Sequence, residues 1–277
     1  LGKKRLLIQI GFFIAQNPFL HNFINGRIFQ GRSKYFCTPG LHCHACPAAA
    51  FSCPMGALQS FFAGARYSIS LYVTGFLLAI GILFGRFICG FVCPFGLVQD
   101  LLYRLKTPKI IVRLRFLRYV KYGVLALFVV ILPLVIRHGV SGLGQMWFCA
   151  YICPSGTLFG ALPILAAHSF LRPLIGLQFF IKLAILLGIL ILSVFILRIF
   201  CRVLCPLGAI YSLFNRISVL HMHCDKEKCT TCGGCAASCH IQLEPAKQPN
   251  AAECFRCGKC ASSCAQKALK LRNLYVK

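Results

Sequence analysis

The chemistry of this chain is written in its 19 cysteines. Cys229-x-x-Cys232-x-x-Cys235-x-x-x-Cys239 is followed by Cys254-x-x-Cys257-x-x-Cys260-x-x-x-Cys264. Three closely spaced thiolates wrap one [4Fe–4S] cube, and the fourth cysteine of each run reaches the other cube. One cluster then takes Cys229, Cys232, Cys235 and Cys264, and the other takes Cys254, Cys257, Cys260 and Cys239. Zinc sites use two CxxC pairs, not runs of four at this spacing. The proline that usually follows the fourth cysteine is replaced by His240 and Ala265. That changes the turn and leaves the ligand set intact.

A second motif recurs upstream. Cys89-Gly-Phe-Val-Cys93-Pro94-Phe-Gly96 returns as Cys149-Ala-Tyr-Ile-Cys153-Pro154-Ser-Gly156 and as Cys201-Arg-Val-Leu-Cys205-Pro206-Leu-Gly208. A degenerate copy ends at Cys53-Pro54-Met-Gly56, with Cys46 before it and Cys43 a CxxC partner to Cys46. Proline just after a cysteine suits the first turn of a helix, where its missing N–H costs nothing. The cysteine then sits at a helix N-terminus, whose free N–H groups and dipole favour an anionic cluster. Each pair supplies two ligands and a cube needs four, so pairs must combine. Cys89 and Cys93 with Cys201 and Cys205, all at cytoplasmic span ends, make one inner set. Cys149 and Cys153, expected on the outer side with the Cys37–Cys53 loop, take Cys46 and Cys53 (or Cys43) for a second. The bland alternative, buried structural cysteines in an apolar core, does not account for a repeated CxxxCP-x-G.

Other residues carry weaker signals. His42 and His44 lie among the outer cysteines as ligand or proton-transfer candidates, or as ordinary loop histidines. Cys43-His44-Ala45-Cys46 is not CxxCH, so covalent haem is not indicated. Asp100 is the only acid before residue 220; it reads either as a proton acceptor at a quinol site or as an i,i+4 partner of Arg104. Arg86, Arg198 and Arg202 flank the inner cysteines and either offset cluster charge or set topology. His138 lies near a span end with no pairing that demands haem, and Cys37 and Cys224 are left without a role.

The elements that position these groups are apolar. The chain is 58% hydrophobic and 13% charged, with mean hydropathy +0.76, where a soluble domain is about a quarter charged. Four runs, 6–24, 68–88, 119–136 and 174–197, come near the ~20 residues that cross a bilayer. Shorter apolar pieces, 55–66, 95–106 and 156–170, suit half-helices packed against the bundle. The net charge of +25 sits beside apolar runs, which points to membrane lipid and not nucleic acid. Lys3, Lys4 and Arg5, then Arg104, Lys106, Lys109, Arg113, Arg115, Arg118 and Lys121, place the N-terminus and the 86–121 loop in the cytoplasm. Alternation brings the tail to the same side. Disulfides are disfavoured by the CxxC and CxxxC spacing. The chain begins at Leu1, and no signal peptide with a cleavage site is read. The fold class expected is a mostly α membrane protein with about four transmembrane helices and half-helices, residues 1–220, plus a small α+β bacterial-ferredoxin-like domain, residues 221–277.

Paired CxxxCP motifs at membrane helix ends with a double CxxCxxCxxxC tail resemble the NapH/NosR/CcoG group of membrane polyferredoxins. The resemblance implies four [4Fe–4S] clusters, two in the tail and two in the membrane, in a bacterial or archaeal inner membrane. It implies electron traffic between a cytoplasmic donor or the quinone pool and an extracytoplasmic redox partner. Partners so implied are a flavin- or haem-protein outside and a ferredoxin or reductase inside, with any flavin or quinone carried on another subunit. An electron-transfer subunit of an oxidoreductase complex, with no catalytic residue of its own, is the expectation. The alternatives are a quinol dehydrogenase subunit and a redox sensor or assembly factor.

Overall fold

The computed structural model describes residues 2–64, 71–111, 116–137 and 144–273. Helix α1 (Lys3–Gln16) opens the chain. It is followed by α2 (Pro54–Ala63), α3 (Leu71–Phe84) and α4 (Pro94–Leu102). Then come α5 (Leu117–Val135), α6 (Pro154–Ala167), α7 (Leu177–Phe195) and α8 (Pro206–Phe214). Two strands, β1 (Leu220–Cys224) and β2 (Leu269–Asn273), pair antiparallel with Leu220 opposite Asn273. They clasp the two ends of the tail.

Of the four expected crossings, α5 and α7 are long and apolar enough to span a bilayer. Their large side chains face outward: Leu177, Phe180, Ile191, Leu127 and Val135 are all exposed. An outward face of large apolar side chains is what lipid solvates. The run from residue 6 gives only fourteen helical residues in α1, about 20 Å at the α-helical rise. It stops at Asn17, whose side-chain amide bonds back to Phe13 O at 2.9 Å, with Pro18 next in the chain. The run from residue 68 contributes α3, and residues 65–70 lie outside the described residues, as do Arg113, Arg115 and His138. Gly85, in the left-handed region at φ +52°, turns the chain off α3. A Cβ there would stand 2.8 Å from Asn215 Oδ1.

The short apolar pieces form helices of nine to fourteen residues: α2, α4 and α6. Both α5 and α6 contain a wider π-helical stretch, Leu125–Ile131 and Thr157–Ala161, each ending just before a proline-bearing turn. A π-bulge is a usual response to backbone that must be re-aimed inside a helix. Helices α1 and α7 both pack on α4, and α8 packs on α3 and the start of α5. The buried centre formed this way contains the cysteines themselves, with Phe95, Phe200 and Tyr211.

Candidate iron–sulfur sites

Each inner cysteine pair is built by the same local device. A short helix, Phe87–Phe91 or Ile199–Val203, carries the first cysteine, and the second caps the helix that follows, α4 or α8. The proline occupies the first helical position. At Cys205 the Gly208 N–H donates to Sγ at 3.3 Å. The motif glycine has a steric reason as well. A Cβ at Gly96 would lie 3.1 Å from Cys89 O, and one at Gly208 3.0 Å from Cys201 O. Glycine therefore lets each helix lean against the turn holding the first thiol. Cys89, Cys93, Cys201 and Cys205 come within electrostatic reach of one another, and all four are buried.

The two halves are locked crosswise by arginines placed three residues before each first cysteine. Arg86 Nη2 donates to Cys201 O at 2.9 Å, while Arg198 donates to Cys89 O and, at 3.1 Å, to Gly90 O. Both guanidiniums are fully buried, and each has a carboxylate. Arg198 Nε donates to Asp100 Oδ1 at 2.8 Å, and Asp100 Oδ2 also accepts from Arg5 at 2.7 Å and Gln9 at 2.8 Å. Arg86 pairs with Glu253 of the tail at 2.5 Å, and Glu253 also accepts from Lys121 at 2.5 Å. Burial pushes the Glu253 carboxyl up, but Arg86 and Lys121 outweigh it and hold it below the usual carboxylate range. Each of the two carboxylates thus lies between two cations, leaving a net positive charge beside the inner thiols. Asp100 finds its partners across the fold, on α1 and before Cys201, rather than through a local helical pairing alone.

The tail docks on this arrangement. Phe255, next to Cys254, is buried with its ring 4.4 Å from the Arg86 guanidinium carbon and 5.2 Å from that of Arg198. Arg256 donates to Phe84 O at 3.0 Å and Asn215 O at 2.6 Å. Asn215 donates in return to Ala251 O at 2.7 Å and Cys254 O at 3.2 Å. A Cβ on Gly90 would lie 2.6 Å from Phe255 O.

Within the tail, Cys239, Cys254, Cys257 and Cys260 line one cavity of about 480 Å³. Cys229, Cys232, Cys235 and Cys264 line another of about 520 Å³. Thr231 and Arg256, Gly233 and Gly258, and Gln242 and Lys267 all adopt positive φ. Each couple stands at the same place in the two cysteine runs, so both loops curl by the same backbone path. Cys224 comes within electrostatic reach of Cys229, Cys235 and Cys264.

The outer set is a chamber of about 1020 Å³ lined by Cys43, Cys53, Cys149 and Cys153, with His42, His44 and Lys182. Cys46 is fully buried but points its thiol at Asn17 Oδ1, 3.7 Å away. Cys46 does not line the chamber, and Cys43 is the thiol that joins Cys53 there. A Cβ at Gly160 would stand 3.2 Å from Cys43 Sγ, so glycine makes room for it. His44 Nδ1 is 3.1 Å from Ser52 Oγ. Both ring nitrogens of His42, 1% exposed, have no protein partner among the described residues.

The inner and outer sets are not at opposite faces of a thick layer. Tyr211, on α8, lies in electrostatic reach of Cys89, Cys93 and Cys205 and also of Cys53. Its hydroxyl donates to Pro39 O at 2.8 Å, and Gly40 packs so closely on Cys93 that a Cβ would be 2.9 Å from Cys93 Cα. The segment leading to the outer cysteines runs directly over the inner ones.

The donor sets fit cubes better than single ions. Four places gather four thiols each, and among the described residues no three His, Cys, Asp or Glu groups converge on one metal ion. A zinc ion would need its sulfurs within about 2.3 Å of one point. Buried guanidiniums and helix N-termini lie beside the inner thiols, surroundings that suit an anionic group. The sequence reading missed Gln59, Gln99, Phe255, Glu253 and Tyr211. For the two glutamines a signal existed: each stands at the same position after its Cys-Pro, in Cys53-Pro-Met-Gly-Ala-Leu-Gln59 and Cys93-Pro-Phe-Gly-Leu-Val-Gln99.

A 4Fe–4S binding domain model matches residues 69–114, 123–165 and 179–223, each segment holding one CxxxCP pair. Two uncharacterized proteins of Methanocaldococcus jannaschii are similar. One is 26% identical over 199 residues, covering 69% of this chain and 65% of the relative. The other is 29% identical over 180 residues, covering 61% and 64%. The methylamine utilization ferredoxin-type protein MauN of Paracoccus denitrificans is 29% identical over 191 residues, covering 66% and 58%. The chain spans less than two thirds of the length of each of these relatives. No solved structure matches. Together the domain matches and the ferredoxin-type relative support an iron–sulfur, ferredoxin-like protein of electron transfer.

Proposed function

We propose that this chain is a multi-pass membrane electron conductor holding four [4Fe–4S] clusters, one in each four-thiol set. Residues 1–220 form its membrane part and residues 221–277 a ferredoxin-like tail. It connects a cytoplasmic donor, or the quinone pool, with an extracytoplasmic redox partner. The observation that carries this reading is the continuity of the sets. The cavity of Cys239, Cys254, Cys257 and Cys260 is joined to the inner cysteines through Phe255, and the inner cysteines to the outer chamber through Tyr211 and the 39–43 segment.

Bound clusters take up and release single electrons without group transfer. The chain's own residues hold them, exclude water and set their surroundings. Buried Arg86 and Arg198 offset anionic charge, and the apolar centre around Phe95 and Phe200 keeps the inner site dry. Cys232 and Cys257, one in each tail set, are exposed and give a soluble donor access to the tail. Orientation follows from the basic loop: Lys121 at the start of α5 binds Glu253, and Gln242 donates to Ile111 O at 3.2 Å. These contacts support a tail on the Lys- and Arg-rich side, which the positive-inside tendency makes the cytoplasmic one in this reading. A flavin- or haem-protein outside and a ferredoxin or reductase inside are the partners that fit.

The test is anaerobic purification in detergent, counting iron and acid-labile sulfide, and redox titration followed by paramagnetic spectra. Four clusters predict about sixteen irons per chain, four per cube. Iron sufficient only for the tail sinks the conductor and leaves a tethered ferredoxin. A second reading, a quinol-oxidising subunit, is favoured by His42 beside a chamber of about 1020 Å³. Reduction of the purified protein by a quinol analogue separates it from the first.

A further inference from the structure

Two glutamines occupy matching positions against the two membrane cysteine sets. Gln99, on α4, places Nε2 3.2 Å from Cys201 Sγ, and its Oε1 accepts the Phe200 N–H at 3.2 Å. Gln59, on α2, places Nε2 3.2 Å from Cys149 Sγ, and its Oε1 accepts the Phe148 N–H at 3.1 Å. Both side chains are fully buried. The orientation of a side-chain amide is ordinarily a matter of assignment, but here the chemistry fixes it. A backbone N–H can only donate, so the oxygen must face Phe200 or Phe148 and the amide N–H must face sulfur. Gln99 Nε2 has one other acceptor, Phe95 O at 3.5 Å, a long contact.

We propose that Gln59 and Gln99 are positioning residues that set the reduction potentials of the outer and inner membrane clusters. Each does so by donating an amide N–H to one thiolate ligand. The inference rests on the four-cluster reading and deepens it. Reduction adds negative charge that spreads onto the ligand sulfurs, so a donor fixed at one sulfur favours the reduced form. Burial excludes water as a substitute donor and strengthens the bond electrostatically. The residues at the matching places after Cys153 and Cys205 are Phe159 and Tyr211, and the Tyr211 hydroxyl is taken up by Pro39 O. Each site thus receives its glutamine from the first half of the chain, onto the first cysteine of a pair in the second half.

A purely structural glutamine would only tie α2 or α4 to the backbone before the cysteine. Two variants separate the roles. Gln99→Glu keeps an oxygen for the Phe200 N–H and, when ionised, removes the donor to sulfur while adding a charge. Gln99→Leu removes donor and acceptor with no added charge, so a shift shared by both variants reads the lost donor. Wild type, Q99E, Q99L and the matching Gln59 variants are purified anaerobically, assayed for iron, and titrated redox-wise with the spectra resolved by cluster. Expected is a lower midpoint potential for the inner cluster alone in Q99E and Q99L, and for the outer cluster alone in the Gln59 variants, at wild-type iron content. Unmoved potentials at full iron content overturn the inference, as does loss of membrane-cluster iron from both substitutions at a site, which makes the residue structural. A wild-type protein whose iron accounts only for the tail overturns the underlying reading instead.

Discussion

Arg86 lays its guanidinium over the ring of Phe255 at 4.4 Å, while the same side chain reaches Cys201 O and Glu253. One buried cation therefore touches the tail beside Cys254 and the backbone of an inner cysteine at once. Arg198 approaches the other side of the junction, 5.2 Å from the same ring. Cation–aromatic contacts that exclude water are worth about 2 kcal/mol, and the aromatic stands between the tail thiols and the inner ones. Phe255→Ala should cost roughly 3–5 kcal/mol of docking stability, the usual range for a buried phenylalanine. Phe255→Leu should cost less. Both should slow electron passage from tail to inner site while leaving total iron near wild type. Hydrogen exchange across residues 250–258 reads the first effect, and rapid-freeze paramagnetic spectra after mixing with a reductant read the second.

Gly90 gives an independent handle on the same junction. A Cβ at this position would meet Phe255 O at 2.6 Å, backbone against backbone, so no side-chain adjustment relieves it. Gly90→Ala should push the tail away at a cost of about 1–3 kcal/mol, typical of overpacking. Gly75, where an added Cβ would meet nothing within 4 Å, is the control. Faster protease release of the tail from G90A than from G75A is the expected result.

How much of this was legible beforehand depends on sequence separation. The thiol sets in the tail follow from local spacing, because CxxCxxC permits few ways to wrap a cube, and the structure gathers Cys264 with the first run and Cys239 with the second. The inner set was legible because a repeated CxxxCP-x-G at two helix starts implies a shared site. Asp100 was not. Its i,i+4 neighbour Arg104 is the pairing that periodicity suggests, whereas Arg198, 98 residues away, donates to both of its oxygens. Only the three-dimensional crossing of the halves supplies that. At residues 6–24 the interruption by Asn17, Pro18 and His21 was visible in the sequence, and α1 ends at Gln16 although apolar residues continue beyond it.

The outer chamber can be tested thiol by thiol. Cys43 borders the chamber with Cys53, Cys149 and Cys153, and Cys46 is turned toward Asn17. Cys43→Ser should lose one membrane cluster, about four irons by the composition of a cube. Cys46→Ser should keep all of them and lose at most about 1–2 kcal/mol of local stability from a weak buried hydrogen bond. Iron content of the two purified variants decides between them. An equal loss in both would transfer Cys46 into the ligand set.

The two carboxylates between paired cations make separable predictions, because they hold different parts of the molecule. Asp100 ties α1 and α4 to the turn before Cys201, through Arg5 and Arg198. Glu253 ties the tail to Arg86 and Lys121. Removing one partner of a buried pair leaves an uncompensated charge and costs about 3–5 kcal/mol. Asp100→Asn should therefore lower the thermal stability of the membrane part and its iron content, with the tail spectra intact. Glu253→Gln should leave both membrane sites filled but free the tail, seen as faster hydrogen exchange at residues 250–258. If Asp100 served instead as an exchangeable proton acceptor, D100N would retain stability and iron and lose only reactivity with a quinol analogue. The cations decide the expectation: Arg5 and Arg198 lie within 2.8 Å of its oxygens, and a carboxylate so held keeps its charge and gives up its role as a proton acceptor.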